Sequence, residues 1–171
     1  MNWQQALSET AFKYHSIVAW VAVIFNPIFS ISDYYNSSNH FTDFLIFRLV
    51  VSAAIVICLA LREKIKSFPE LVAYVPFVGI SIQNAYMYSV MDVSQLQKHT
   101  FAYLALFIGA GMFVIWKPIH SLVVVIITYA SNIILFSLNS TLQLNEILIN
   151  GGLLTASVSL FTIILINTRT N

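Results

Sequence analysis

Arg48 is a cation within an apolar stretch of sequence that runs from about residue 42 to residue 61. An arginine placed near the middle of a membrane without a partner costs at least about 2.5 kcal/mol, so a counterion is expected. Asp33, at the end of the preceding apolar stretch, and Asp43, a little over one helical turn before Arg48, are the two candidates. Such a pair predicts either a clamp between helices or a contact for an anion or ligand near the outer membrane face.

Two neighbouring amides, Gln83 and Asn84, lie within another apolar stretch, from about residue 70 to residue 91. Polar side chains at this depth hydrogen-bond across helices with about 0.6 to 2 kcal/mol per bond, which would hold the helices together. They are also suited to line a small ligand pocket between helices. On this second interpretation, the predicted ligand-binding residues are Asp33, Arg48, Gln83 and Asn84.

The four histidines raise the alternative of a haem or metal site, because His15 and His120 fall near the predicted inner face and His40 and His99 near the outer one. None has the spacing of a metal ligand set, and an imidazole is stable at an interface without a ligand. The sequence therefore predicts no cofactor and no metal. Nucleotide-binding loops and metalloprotease motifs are missing as well, so no catalytic residue is predicted in this segment.

The elements that must position these side chains are predicted to be transmembrane helices. Hydrophobic residues make up 58% of the 171 residues and charged residues only 9%, far below the roughly 25% charged residues of soluble proteins. Crossing a bilayer takes about 20 apolar residues of helix. The sequence therefore predicts an all-α, polytopic bundle of six spans, at about residues 12–32, 42–61, 70–91, 100–116, 118–138 and 145–167.

Lysine and arginine positions predict the orientation of this bundle, because cationic connections stay in the cytoplasm. Six of these residues fall on one predicted side, namely Lys13, Arg62, Lys64, Lys66, Lys117 and Arg169. Lys98 falls on the other side, so both termini are expected in the cytoplasm. Residues 1–11 are predicted to form an interfacial amphipathic segment, residues 12–167 the six-helix membrane domain, and residues 168–171 the start of a cytoplasmic linker.

Small residues at every fourth position predict close approach of helices. They occur at Ala105 and Gly109, along Gly151, Thr155 and Ser159, and at Gly152 and Ala156. The sixth span is expected to use this face either within the bundle or in a homodimer. Only Lys117 and Pro118 separate the fourth and fifth spans, which predicts a tight helical hairpin.

Three segments carry a resemblance to a known family: NPIFSISDYY at residues 26–35, FTDFLIFRLVV at 41–51 and YLALFIGAGMFVIWKPIHSL at 103–122. Together they resemble the six-helix amino-terminal membrane domain of bacterial class III adenylate cyclases and of some sensor histidine kinases. The shared pattern is a Pro and an Asp closing the first helix, a Phe-x-x-x-Arg-Leu step in the second, and a small-residue fourth helix leading quickly into the fifth. The resemblance implies a last helix that continues into a linker and a dimeric catalytic domain.

The function expected on these grounds is a membrane-embedded sensory and anchor domain that regulates a fused cytoplasmic adenylate cyclase or histidine kinase through dimer rearrangement. The expected partners are the lipid bilayer, a second copy of the chain, the fused effector and a small ligand or lipid, with no nucleic acid. The expected location is the bacterial inner membrane. The alternatives are a small multi-pass transporter or channel, with Arg48, Asp33 and the polar part of the third span as the substrate path, and a subunit that folds only in a larger assembly.

Overall fold

A computed structural model describes residues 3–170 of the chain. The fold is all-helical, with 87% of the residues in helices, which confirms the predicted all-α class, whereas the six spans and the cytoplasmic termini stay predictions. Met1, Asn2 and Asn171, at the ends of the predicted interfacial segment and linker, lie outside the described residues. The helices are α1 (Trp3–Ile28), α2 (Ser30–Asn36), α3 (Phe41–Ala60), α4 (Glu70–Val90), α5 (Val93–Phe113), α6 (Pro118–Asn139), α7 (Leu144–Ile147) and α8 (Leu153–Thr170).

Helix α1 runs without interruption from Trp3 to Ile28, so the predicted interfacial segment belongs to the same helix as the first span. The interfacial location of that segment stays a prediction. The helix ends just after Pro27, which has no backbone N–H to donate and whose ring crowds the preceding turn. After Phe29 the short helix α2 continues and carries Asp33.

Helix α5 begins seven residues before the predicted start of the fourth span at residue 100. Its start is fixed by a capping box, in which the Asp92 carboxylate accepts a hydrogen bond from the Gln95 backbone N–H and the Gln95 side chain accepts one from the Asp92 N–H. Hydrogen bonds from the Ser94 hydroxyl and the Gln95 N–H hold the pKa of Asp92 below its usual range. The cap explains why the helix extends beyond the purely apolar segment.

The predicted sixth span, residues 145–167, is divided into α7 and α8 by one wide turn at Leu148–Gly152. Gly151 has φ +132° at this turn, a backbone conformation that favours glycine. A side chain at Gly151 would overlap Thr100 Oγ1 of α5. Glycine therefore lets the backbone of the turn lie directly against α5.

Helix α4 is central and packs against α1, α3 and α6, whereas α8 packs mainly against α5. The prediction of a tight hairpin between the fourth and fifth spans was wrong, because α6 lies along α4 rather than along α5. A hydrogen bond from Thr128 Oγ1 to Ser81 Oγ, 2.9 Å long, joins α6 to α4. The buried core between these helices is largely aromatic and aliphatic and includes Phe44, Met87, Tyr88, Leu96, Tyr103 and Phe107.

One end of the bundle is marked by His15, whose ring is fully buried. Its Nδ1 lies 2.8 Å from the Pro69 carbonyl oxygen and its Nε2 accepts the Ile115 N–H at 3.3 Å. The α3–α4 and α5–α6 connections thus share an end with the first half of α1. At the other end, Gln95 donates to the Asn36 carbonyl at 2.8 Å and Gln97 to the Asn150 side chain at 3.2 Å. The long helices therefore alternate in direction.

Four segments of the described chain are long and apolar enough to cross a membrane by length and composition: Ala6–Asn36, Ser38–Ala60, Pro118–Asn139 and Leu144–Thr168. Many of their large hydrophobic side chains are exposed on the outside of the bundle, as expected for a lipid-facing surface. These features indicate a membrane protein. Helices α4 and α5, the other two long helices, do not meet the same criteria of length and apolar composition.

Candidate functional site

The buried ion pair between Arg48 and Asp33 joins α3 to α2. Arg48 Nε lies 2.5 Å from Asp33 Oδ2, and Nη2 lies 3.0 Å from Oδ1, so both carboxylate oxygens are engaged. Arg48 is 4% exposed and Asp33 is fully buried. A counterion was predicted, and of its two candidates Asp33 is the partner of Arg48 and Asp43 is not.

Asn26 occupies the centre of the polar network around this pair. Its backbone oxygen and Oδ1 accept hydrogen bonds from Arg48 Nη1 at 3.2 and 3.0 Å. Its Nδ2 donates to the Arg48 carbonyl at 3.1 Å and to Gln83 Oε1 at 3.0 Å, while Gln83 Nε2 donates back to Asn26 Oδ1 at 3.0 Å. One asparagine thereby connects α1, α3 and α4.

The guanidinium of Arg48 is surrounded by protein groups, which favours the clamp interpretation of this residue. The carboxylate takes two of its nitrogens and Asn26 takes the third. The Phe29 ring centroid lies 5.8 Å from Arg48 Cζ, and His99 Nε2 lies 3.9 Å from Asp33 Oδ1. A bidentate arginine–carboxylate pair of this kind is strong and geometrically specific, so it fixes the helices around it.

An open cavity of about 810 Å³ lies beside this network, between α1 and α5, with α4 behind it. One end of the cavity is polar and is lined by Asn36, Asp33, Arg48, Asn84, Lys98 and His99. The rest is apolar and is lined by residues such as Ile17, Val21, Phe25, Phe77, Leu106 and Phe113. Ligand pockets commonly have this size and this mixture of apolar walls with a few polar groups.

Asn84 is on the wall of the cavity and is only 4% exposed. Its Nδ2 has no hydrogen-bond partner. Burying such a donor without a partner costs about 1 to 3 kcal/mol, so a group of this kind is expected to have a use. The Asn84 amide is therefore an unpaired donor buried in the wall of the cavity.

The four residues predicted from the sequence as ligand-binding lie together in the structure. Asp33, Arg48 and Asn84 line the cavity, and Gln83 lies one step behind it through its bonds with Asn26. Whether they bind a ligand stays a prediction. Asn26, Lys98 and His99 also belong to this site and were not predicted from the sequence.

A sequence signal for two of these residues existed. Asn26 is a lone amide between Phe25 and Pro27 in an apolar span, and such residues are rare and usually interact with another polar group. Lys98 is the basic residue assigned to the outer side by its position. His99 could be placed beside Asp33 only by the packing of α5, because the sequence shows no relation between them.

The small residues Ala105 and Gly109 of α5 face the cavity instead of a neighbouring helix. No heavy atom lies within 4 Å of the position of a Cβ at Gly109. On α8, by contrast, Ser159 is fully buried and Thr162 donates to the Phe107 carbonyl of α5 at 3.0 Å. The small-residue face of the sixth span is thus used inside the chain, and a homodimer would need another surface.

A second cavity of about 490 Å³ lies among α6, α7 and α8. It has no charged lining residue, and most of its polar groups bond with other protein groups, although Thr155 Oγ1 has no hydrogen-bond partner. Tyr103 OH accepts from Asn132 Nδ2 at 2.9 Å and donates to the Ser81 carbonyl at 3.3 Å, and Tyr129 pairs with Ser159 at 2.9 Å. These groups hold the bundle together, which makes this cavity the weaker site candidate.

The histidines contact protein groups: His15 and His120 both pack against Trp116, and His40 and His99 both pack against Phe44. His15 bridges two connections, as described above, and His120 Nδ1 lies 2.8 Å from Tyr74 OH. His40 stacks near Phe44, with ring centroids 5.9 Å apart. Within residues 3–170, no cluster of three or more His, Cys, Asp or Glu side chains is suited to hold a metal ion.

No protein-family model matches this chain, and we found no curated protein or solved structure to which it is similar. The resemblance to the membrane domain of class III cyclases and sensor kinases therefore stays a prediction based on the three quoted segments. Functional conclusions depend on the geometry of the chain itself.

Proposed function

We propose that this chain is a membrane-embedded sensory and anchor domain with six spans and cytoplasmic termini, in a bacterial inner membrane. In this proposal the cavity between α1 and α5 receives a ligand. The domain then regulates a fused cytoplasmic effector, an adenylate cyclase or a histidine kinase, by rearranging a dimer. A ligand acts only if it binds one arrangement of the helices better than the other.

The observation that carries the proposal is the position of α5 between the cavity and α8. One face of α5 lines the cavity through Ala105, Leu106 and Gly109. Its opposite face packs on α8, where the Phe107 carbonyl accepts a hydrogen bond from the Thr162 hydroxyl and Gly111 lies against Leu165. A molecule that separates α1 from α5 would therefore displace α8, the helix that leads towards the effector.

Helices α4 and α5 are included among the proposed spans because of their place in the bundle. Helix α4 is surrounded by α1, α3 and α6, so polar side chains such as Gln83 and Ser81 bond with neighbouring helices instead of facing lipid. Its sequence does not need to be as apolar as that of a lipid-exposed helix.

The transporter alternative has less support. The buried ion pair is neutral as a unit and its donors are occupied by Asp33 and Asn26. Charged side chains occur only at one end of the cavity and the rest of its lining is largely apolar, whereas a path for a polar substrate would need polar groups on towards the other membrane face. Flux of a solute across proteoliposomes containing the purified chain would contradict the sensory proposal.

The test is a fusion of the full chain to the catalytic domain of an adenylate cyclase that is active only as a dimer. Gly109→Leu fills the cavity from a position with open space, and Ala54→Leu adds the same side chain on the exposed face of α3. We expect Gly109→Leu to change cyclase output at least twofold and Ala54→Leu to leave it unchanged. Equal outputs from both variants, at equal amounts in the membrane, would contradict the proposal.

A further inference from the structure

The polar groups of the cavity lie in one layer below the outer ends of the helices. Arg48 is seven residues from the start of α3 and Asn84 is six residues before the end of α4, which places both about 10 Å below those ends. His99 is six residues after the start of α5, at about the same depth. These groups therefore surround one level of the cavity.

Below this layer the cavity is apolar over a considerable length. From His99 to Phe113 the wall formed by α5 covers fourteen residues, which is about 21 Å of helix. The acyl chains of one bilayer leaflet fill a layer only about 15 Å thick. The apolar part of the cavity is therefore long enough to hold a long acyl chain.

The charge of the polar layer indicates the kind of head group that it accepts. Asp33 and Arg48 neutralise each other as an ion pair. Lys98, which donates to Asn36 Oδ1 at 3.1 Å, has no carboxylate within 4 Å among the described residues. The layer therefore offers one positive charge and one unused amide donor, Nδ2 of Asn84.

From this geometry we infer that the cavity binds a long-chain fatty acid, with its carboxylate at Asn84 and Lys98 and its chain along the apolar walls of α1 and α5. The inference rests on the proposed function, since it names the ligand of the same site. An amphiphile with one chain and one small anionic head matches both halves of the cavity.

The experiment is photolabelling of the full chain in phosphatidylcholine nanodiscs with palmitate that carries a diazirine near the end of its chain. Unlabelled palmitate and palmityl alcohol serve as competitors. We expect saturable labelling of α1 and α5 residues beside the cavity, and we expect Gly109→Leu to abolish it while Ala54→Leu leaves it unchanged.

Two further variants test the head group. We expect Asn84→Leu to weaken palmitate binding about tenfold, because the substitution removes the hydrogen-bond donor at nearly constant side-chain volume. Lys98→Gln should weaken palmitate binding about fivefold and leave palmityl alcohol binding unchanged, because only the acid is charged. The control is Lys64→Gln, an exposed lysine at the opposite end of the bundle, which should have no effect.

The inference would be overturned by labelling that does not saturate, by labelling that persists in Gly109→Leu, or by an equal loss of acid and alcohol binding in Lys98→Gln. Crosslinks from the cavity to a second copy of the chain, without competition by palmitate, would identify a helix of that copy as the occupant and would also overturn it.

The outcome is separable from that of the fusion experiment. A fusion that responds to Gly109→Leu without palmitate binding would leave the sensory proposal intact and reject this ligand. Palmitate binding with a fusion that does not respond would establish the ligand and reject the sensory role.

Discussion

Arg48 shows how a single side chain determines the arrangement of its neighbours. Its five N–H donors require acceptors when the residue is buried, and two acceptors on Asp33 and two on Asn26 take four of them. Because these acceptors come from α1 and α2, the arginine fixes the first three helices relative to one another. The pair is thus a structural clamp beside the cavity, and Asn84 is left as the free donor.

At this scale we expect Arg48→Met to destabilise the chain by about 3 to 5 kcal/mol, because it leaves the Asp33 carboxylate buried without its partner. The double variant Arg48→Met with Asp33→Leu should lose less stability than Arg48→Met alone, because no unpaired buried charge remains. Unfolding by sodium dodecyl sulfate in mixed micelles measures both changes.

The matched control is Arg62→Met, which breaks the exposed contact of Arg62 with Glu63, 3.7 Å long. Exposed ion pairs contribute about 1 kcal/mol or less, so this variant should unfold close to the wild type. If Arg48→Met unfolded as the control does, the clamp would be refuted.

At the scale of elements, the turn at Leu148–Gly152 is the clearest departure from a plain helix. It allows the chain to begin α8 close against α5, where Gln97 contacts Asn150. Because Gly151 has no side chain, the backbone of the turn lies against Thr100 of α5, which brings the start of α8 to the helix that lines the cavity. The turn at Leu148–Gly152 is therefore one of the contacts through which α5, the helix that lines the cavity, is joined to α8.

We expect Gly151→Ala to destabilise the chain by roughly 1 to 3 kcal/mol, because its φ is unfavourable for alanine and its Cβ would overlap Thr100. Gly109→Ala is the matched control, since Gly109 has open space around it. This variant should be more stable than the wild type by up to about 1 kcal/mol. Thermal unfolding in dodecyl maltoside distinguishes the two. Equal stability of both variants would mean that the turn is not held as described.

At the scale of the whole molecule, the alternating helices and the positions of the basic residues make a topology that labelling can test. Three exposed positions lie at three different connections: Ser67 between α3 and α4, Ser94 at the start of α5, and Thr141 after α6. In a Cys58→Ala background, cysteine at each position can be labelled by a membrane-impermeant maleimide. Intact spheroplasts expose only the outer face to the reagent.

We expect Ser94→Cys and Thr141→Cys to be labelled in intact spheroplasts, and Ser67→Cys only after permeabilisation, with at least a tenfold difference in signal. Ser94 decides the number of spans, because it lies between the two helices that are less apolar. Labelling of Ser94→Cys only after permeabilisation would show that α4 and α5 do not cross, leaving four spans.

Composition and hydropathy were sufficient to predict an all-helical bundle, because helices that satisfy their own backbone hydrogen bonds are the solution for apolar sequence in lipid. The sequence also indicated Asp33 as a partner for Arg48, because a buried cation requires a counterion and only two acids were near. The position of α6 along α4, the use of Asn26 as the hub and the open space beside Gly109 were decided by tertiary packing. These depend on which helix faces meet, and helix faces of similar apolarity do not specify their neighbours through local sequence.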